Sequence, residues 1–182
     1  MKKLIALLMA LLLCGAAYAQ EAEAPAFALD NGVHWGMTLE EVLAVYGREE
    51  YKFVDETSYT LTTSELKNVP YGTYEEADVV FLFVGGQLAA MEIEPDLWVE
   101  YDAEEIEELR QALITRYGEA DETLPVPAAV QSRVEKNEAQ VICGWQAAAD
   151  TYVCLVRYED YIEVGYYNVQ FDLVAESLTK AP

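Results

Sequence analysis

Two stretches of this chain stop in the same way 71 residues apart, at Val45-Tyr46-Gly47 and Arg116-Tyr117-Gly118. Each stop closes an amphipathic run. Thr38 and Glu41 stand at capping-box spacing, and Leu39, Val42, Leu43 and Tyr46 then share one helical face. Asp102 is placed to cap a second helix with Glu105 at its third position, and Ile106, Leu109, Leu113 and Tyr117 form its apolar stripe. A glycine follows each as a C-terminal stop. Strand-like sequence follows each helix: 58–63, 78–84 and 87–94 after the first, then 141–146, 151–157 and 161–169 after the second. Gly85-Gly86 is a two-residue hairpin signal. A short final helix is expected around 173–178. The repeated order predicts an α+β fold of two tandem helix–antiparallel sheet modules. They would form one continuous curved sheet with helices on one face. The modules would cover 33–98 and 99–182, behind a flexible lead-in at 20–32.

The first residues read as an address. Lys2 and Lys3 precede an apolar run from 4 to 13, and Ala17-Tyr18-Ala19 satisfies the small-x-small cleavage rule. The run is too short to cross about 30 Å of hydrocarbon, so 1–19 is expected to be a cleaved signal peptide. Leu13 stands before Cys14, where a lipobox requires a small residue. Release is therefore expected over lipid anchoring. No later stretch is long and apolar enough to span a membrane.

Gly36-Met37-Thr38 with Glu41-Val42 and the closing Tyr46-Gly47, followed by strands, resembles the helix-plus-meander modules of the β-lactamase inhibitor protein and SmpA/OmlA lipoprotein superfamily. The resemblance implies two modules side by side in one long sheet, and protein binding rather than catalysis. It carries over no contact residue, and the inhibitor's two-bridge cysteine pattern is absent.

Beyond the leader only Cys143 and Cys154 remain. A symmetric hairpin centred between Ala148 and Ala149 would set them directly opposite each other. In an exported protein this predicts a disulfide, with two buried thiols as the other outcome.

The chain carries 33 acidic against 11 basic residues, a net charge of -22. Such a balance excludes the clustered cations that nucleic acids require. A single histidine, His34, excludes zinc sites built on several imidazoles. No nucleophile elbow or phosphate-cradling glycine loop appears. The acidic run from Glu92 to Glu108 lacks the spacing and glycine of an EF-hand. No cofactor is implied. Glu92 and Glu94 lie two apart on one strand, which keeps open a small extracellular hydrolase using paired carboxylates. The leading expectation is a secreted, non-enzymatic module that binds another protein, one of cationic character. It could serve as an inhibitor or an envelope-associated interaction protein. A sheet that pairs with another copy is a third possibility.

Strand alternation proposes the binding face. With opposed residues summing to 171 across Gly85-Gly86, Met91, Ile93, Val80 and Leu82 would face the helix. Phe81, Phe83, Glu92 and Glu94 would face away, joined by Tyr161, Glu163 and Tyr167 from the second module. A bulge near the turn would flip this assignment, and a covering loop or second sheet would turn the two phenylalanines into core.

Overall fold

The computed structural model describes residues 28–47, 52–58, 61–100 and 102–170. The expected signal peptide, most of the lead-in and the helix expected at 173–178 lie outside them. The element order is α1 (Leu39–Tyr46), β1 (Lys52–Ser58), β2 (Leu61–Tyr71), β3 (Tyr74–Val84) and β4 (Gln87–Pro95). Then come α2 (Ala103–Tyr117), α3 (Ala128–Glu135), β5 (Gln140–Ala148), β6 (Thr151–Arg157) and β7 (Ile162–Asn168). The fold is α+β. All seven strands form one antiparallel sheet in the order β1-β2-β3-β4-β7-β6-β5. The strands that end each half, β4 and β7, lie side by side in its middle.

Local chemistry sets the helices. Thr38 accepts from the Glu41 backbone and Glu41 returns a bond to the Thr38 N–H at 2.8 Å, a complete capping box. Gly47 closes α1 in the left-handed conformation. Asp102 precedes α2 but does not cap it through its side chain; its carboxylate accepts from the Trp98 N–H at 2.7 Å instead. Helix α3 has no counterpart among the elements expected from sequence; it follows Pro125 and Pro127 and has no side-chain cap.

Bulges decide which face each side chain takes. Gly85 and Gly86 both have positive φ and make the expected two-residue turn, with Val84 opposite Gln87. Phe83 then pairs with Leu88, but Leu82 pairs with Ala90, so Ala89 is an extra residue in β4. Beyond it opposed residues sum to 172. Phe81 lies opposite Met91 and Val79 opposite Ile93. A slip of one residue exchanges the faces. Phe81 and Phe83 are therefore core residues on the side of α1 and α2, 0% and 2% exposed, not part of an outer face. Val80 and Leu82 take the opposite side, packed with the α3 cluster.

One core joins Val42 and Leu43 of α1 and Leu109 and Leu113 of α2 to Phe81, Met91, Ile93, Val164, Tyr166, Leu155 and Trp145. A second, on the reverse face, joins Val130 of α3 to Leu82, Ala90, Tyr152, Cys154, Val156 and Tyr167. The helices thus lie on both faces, contrary to the one-sided expectation.

The cysteines are also corrected. The turn falls at Ala149-Asp150, with Ala148 opposite Thr151, and Ala147 and Ile142 are extra residues in β5. Cys143 pairs with Leu155, and Cys154 with Gly144. Cys143 joins the α1/α2 core and Cys154 the α3 core, with the sheet between them, so they are not bridged. Unfolding the protein without reductant should let an alkylating agent modify both. Replacing Phe81 with Ala should cost about 3–5 kcal/mol in denaturant melts, the range for emptying a buried aromatic site.

Candidate functional site

The α3 side of β4 and β7 gathers most of the residues proposed from sequence. Glu92 and Glu94 project there from β4, and Glu163 and Tyr167 from β7, with Tyr161 just before it. β6 and β7 pair without a bulge from Thr151↔Asn168 to Arg157↔Ile162, so simple alternation holds along β7. Gly165, opposite Glu92, keeps the site flat. A Cβ there would stand 2.4 Å from the Tyr167 ring, which lies over it. Tyr167 can therefore reach back along its own strand. Its hydroxyl lies 3.4 Å from Glu92 Oε1 and 3.5 Å from Glu163 Oε1, donating to one carboxylate at a time.

Sequence reasoning missed the residues that enclose this pair. Arg133 of α3 places Nη1 3.9 Å from Glu163 Oε2 and donates to the Tyr158 hydroxyl at 2.7 Å. Its guanidinium also sits 5.3 Å from the centre of the Tyr158 ring. Tyr158 stacks on Tyr161 with ring centres 4.5 Å apart. An unpredicted helix supplied the arginine, so only its placement could reveal it.

Burial governs the electrostatics. Glu163 is 1% exposed. Burial, and then the charge of Glu92, push its carboxyl well above the usual range, against the pull of Arg133. Glu92 is raised by burial, with Arg133 and Tyr167 acting the other way. Glu94 is raised by burial and by Asp78 and Glu65. Burial also lifts the Tyr161 hydroxyl to about 12.

Beside the cluster, and sharing Glu94 and Tyr161 with it, opens a cleft of about 410 Å³. Glu76, Asp78, Asp96 and Asp160 bring four more carboxyl groups to its wall. Trp98, 54% exposed, stands at its side, paired through the backbone with Tyr161, and its indole N–H donates to Asp96 at 3.1 Å. Lys67 engages Glu65 and Asp78 nearby. The arrangement presents negative charge next to an aromatic surface, which suits an organic cation.

Among the described residues, no group of three or more His, Cys, Asp or Glu is arranged to hold a metal ion, and no helix is long and apolar enough to cross a membrane. Comparison with protein-family models, curated proteins and solved structures gives no match for this chain.

The raised carboxyls carry a pH signature. The folded chain keeps a proton on Glu163 that the unfolded chain loses above the ordinary carboxylate range. This contribution is fully present below that range and is lost as pH climbs through the folded-state value. Stability from this site should therefore fall between mildly acidic and alkaline pH. Glu163→Gln should raise the melting temperature at about pH 8 by about 2–4 °C, the shift that ~1 kcal/mol produces at this size, and flatten the dependence. Thermal melts of both proteins across pH measure it.

Proposed function

We propose that this protein is an exported, non-enzymatic binding module whose acidic-aromatic cleft receives a lysine or arginine side chain from a partner protein. The observation that carries this reading is Trp98, a large aromatic left 54% exposed at the edge of a cleft rich in carboxyl groups. Exposed aromatics supply contact area, and carboxylates select for positive charge and speed encounter. Glu94 and Tyr161 belong to this surface. Glu92, Glu163 and Tyr167 support it from beneath, while Phe81 and Phe83 stabilise the sheet from the other side.

Two tandem modules, with boundaries near 33–98 and 99–182, are part of the same reading. The pairing of β4 with β7, each the last strand after its own helices, supports it. So does the sequence resemblance to the inhibitor and lipoprotein superfamily, whose character is protein binding. The second reading is a polymer hydrolase using Glu92 and Glu94. Their raised carboxyls favour it, since a general acid must hold a proton near neutral pH.

Affinity capture from the producing cell's envelope and medium, followed by titration of the captured protein, tests both. Trp98→Ala should weaken binding by about tenfold or more while leaving the melting temperature within about 2 °C. Added salt should slow association. Retained affinity in Trp98→Ala would contradict the cleft. Polymer hydrolysis abolished by Glu92→Gln or Glu94→Gln would favour the enzyme.

A further inference from the structure

Helix α3 is lightly held for an element that covers a buried charge cluster. Of its described residues Val130 alone is fully buried, and Pro127 offers no side-chain cap. Eight residues do not sustain a helix in water without tertiary support. That support comes from Val130 and Val134 on the cluster around Cys154, Val156 and Tyr167, and from Tyr152 donating to the Pro125 carbonyl at 2.7 Å. Leu124 and Val126, just before the helix, pack on the same cluster, and Arg133 adds contacts to Tyr158 and Glu163.

We propose that α3 is a pH-sensitive strap: a proton shared by Glu92 and Glu163 keeps it closed over the sheet, and loss of that proton releases it. The groups that face Glu163 can be named element by element. β4 presents Glu92 and Glu94; α3 presents Arg133; the connection before β7 presents Tyr158 and Tyr161; β7 itself presents Tyr167. β6 presents Cys154 beside Tyr167. Glu135, Lys136, Glu159 and Asp160 are exposed to water, and Arg157 falls on the opposite face by alternation. Arg133 is thus the one cation among these facing groups. With one proton on the pair, the remaining negative charge of the pair is matched by that guanidinium. Without it, two enclosed carboxylates face one guanidinium, and neither is well hydrated. Water can reach Glu163 once α3 lifts, and hydration then relieves the repulsion. The raised carboxyls of Glu92 and Glu163 agree with this order of events. Fusing α3 to the sheet more firmly would need a larger apolar face than Val130 and Val134 provide.

The two cysteines give a direct readout. Cys154 is buried on the α3 face and Cys143 on the face of α1 and α2. The experiment uses the mature chain as Cys143→Ser, leaving Cys154, and as Cys154→Ser, leaving Cys143. Thiol labelling is followed between about pH 5 and about pH 8, and each rate is divided by that of the denatured chain at the same pH to cancel thiolate ionisation. The normalised Cys154 rate should climb by up to about tenfold per pH unit, as expected when opening releases one proton. The Cys143 rate should rise far less, by no more than the small loss of global stability allows. Glu163→Gln, which keeps the shape and removes the charge, should hold Cys154 protected throughout. A Cys154 rate independent of pH, or an unchanged climb in Glu163→Gln, would overturn the proposal. So would a parallel climb at Cys143, which would mark global unfolding instead.

Discussion

The pairing of β4 with β7 is the joint on which the rest of this structure depends. Ala90 to Ile93 run antiparallel to Tyr167 to Val164, and this joins two separate stretches of sheet into seven continuous strands. Without it each half would end in an open edge bearing Met91 and Ile93, or Val164 and Tyr166, all of them buried here. One transverse row shows the continuity: Phe81, Met91, Tyr166, Val153 and Trp145 lie in register across five strands. Tyr166 also ties the layers. Its hydroxyl meets those of Tyr71 on β2 at 2.8 Å and Tyr117 on α2 at 3.2 Å, so a buried polar group is satisfied by both halves at once.

The joint also produces two unlike faces. On one side apolar rows receive α1 and α2, as a buried sheet face requires. On the other, Glu92 and Glu163 arrive from the two central strands and flank the hydroxyl of Tyr167, whose ring lies over Gly165. A side chain at that glycine would displace Tyr167, the hydroxyl that lies between the two carboxyl groups. Gly144 admits Tyr152 in a similar way, with a Cβ there only 3.0 Å from the tyrosine oxygen. Burying carboxyls in this manner raises their proton affinity, and α3 brings the guanidinium that makes the burial tolerable. The acidic cleft at Trp98 continues the same face outward to solvent.

What could be read from sequence follows the range of the forces involved. The ends of α1 were legible because Thr38, Glu41 and Gly47 act within one turn of backbone. That Tyr161, Glu163 and Tyr167 share one face follows from alternation along β7, which runs without a bulge, but the burial of Glu163 and Tyr167 beneath α3 does not, so they are not part of an open surface. Phe81 and Phe83 were misplaced because Ala89 is an extra residue that looks like any other alanine in a strand. Cys143 and Cys154 fail to meet because the turn falls at Ala149-Asp150, one residue later than a hairpin centred between Ala148 and Ala149, and the extra residue Ala147 restores only part of that offset. The extra residue Ala89 adjoins a long-range contact: Gly36 donates to the Leu88 carbonyl at 3.0 Å, and the Leu88 N–H donates to the Met37 carbonyl, from a segment about fifty residues away. Arg133 was illegible because α3 has neither a cap nor a broad apolar stripe, and it is held by tertiary contacts alone.

Native-state hydrogen exchange along the chain tests the joint most directly. If β4–β7 pairing holds the protein together, the amides bonded between 90–93 and 164–167 should be among the slowest to exchange. Their opening free energy should equal the global unfolding free energy, for both halves alike. Fast exchange at that seam, with the two halves protected to different extents, would show that they fold separately and contradict the account.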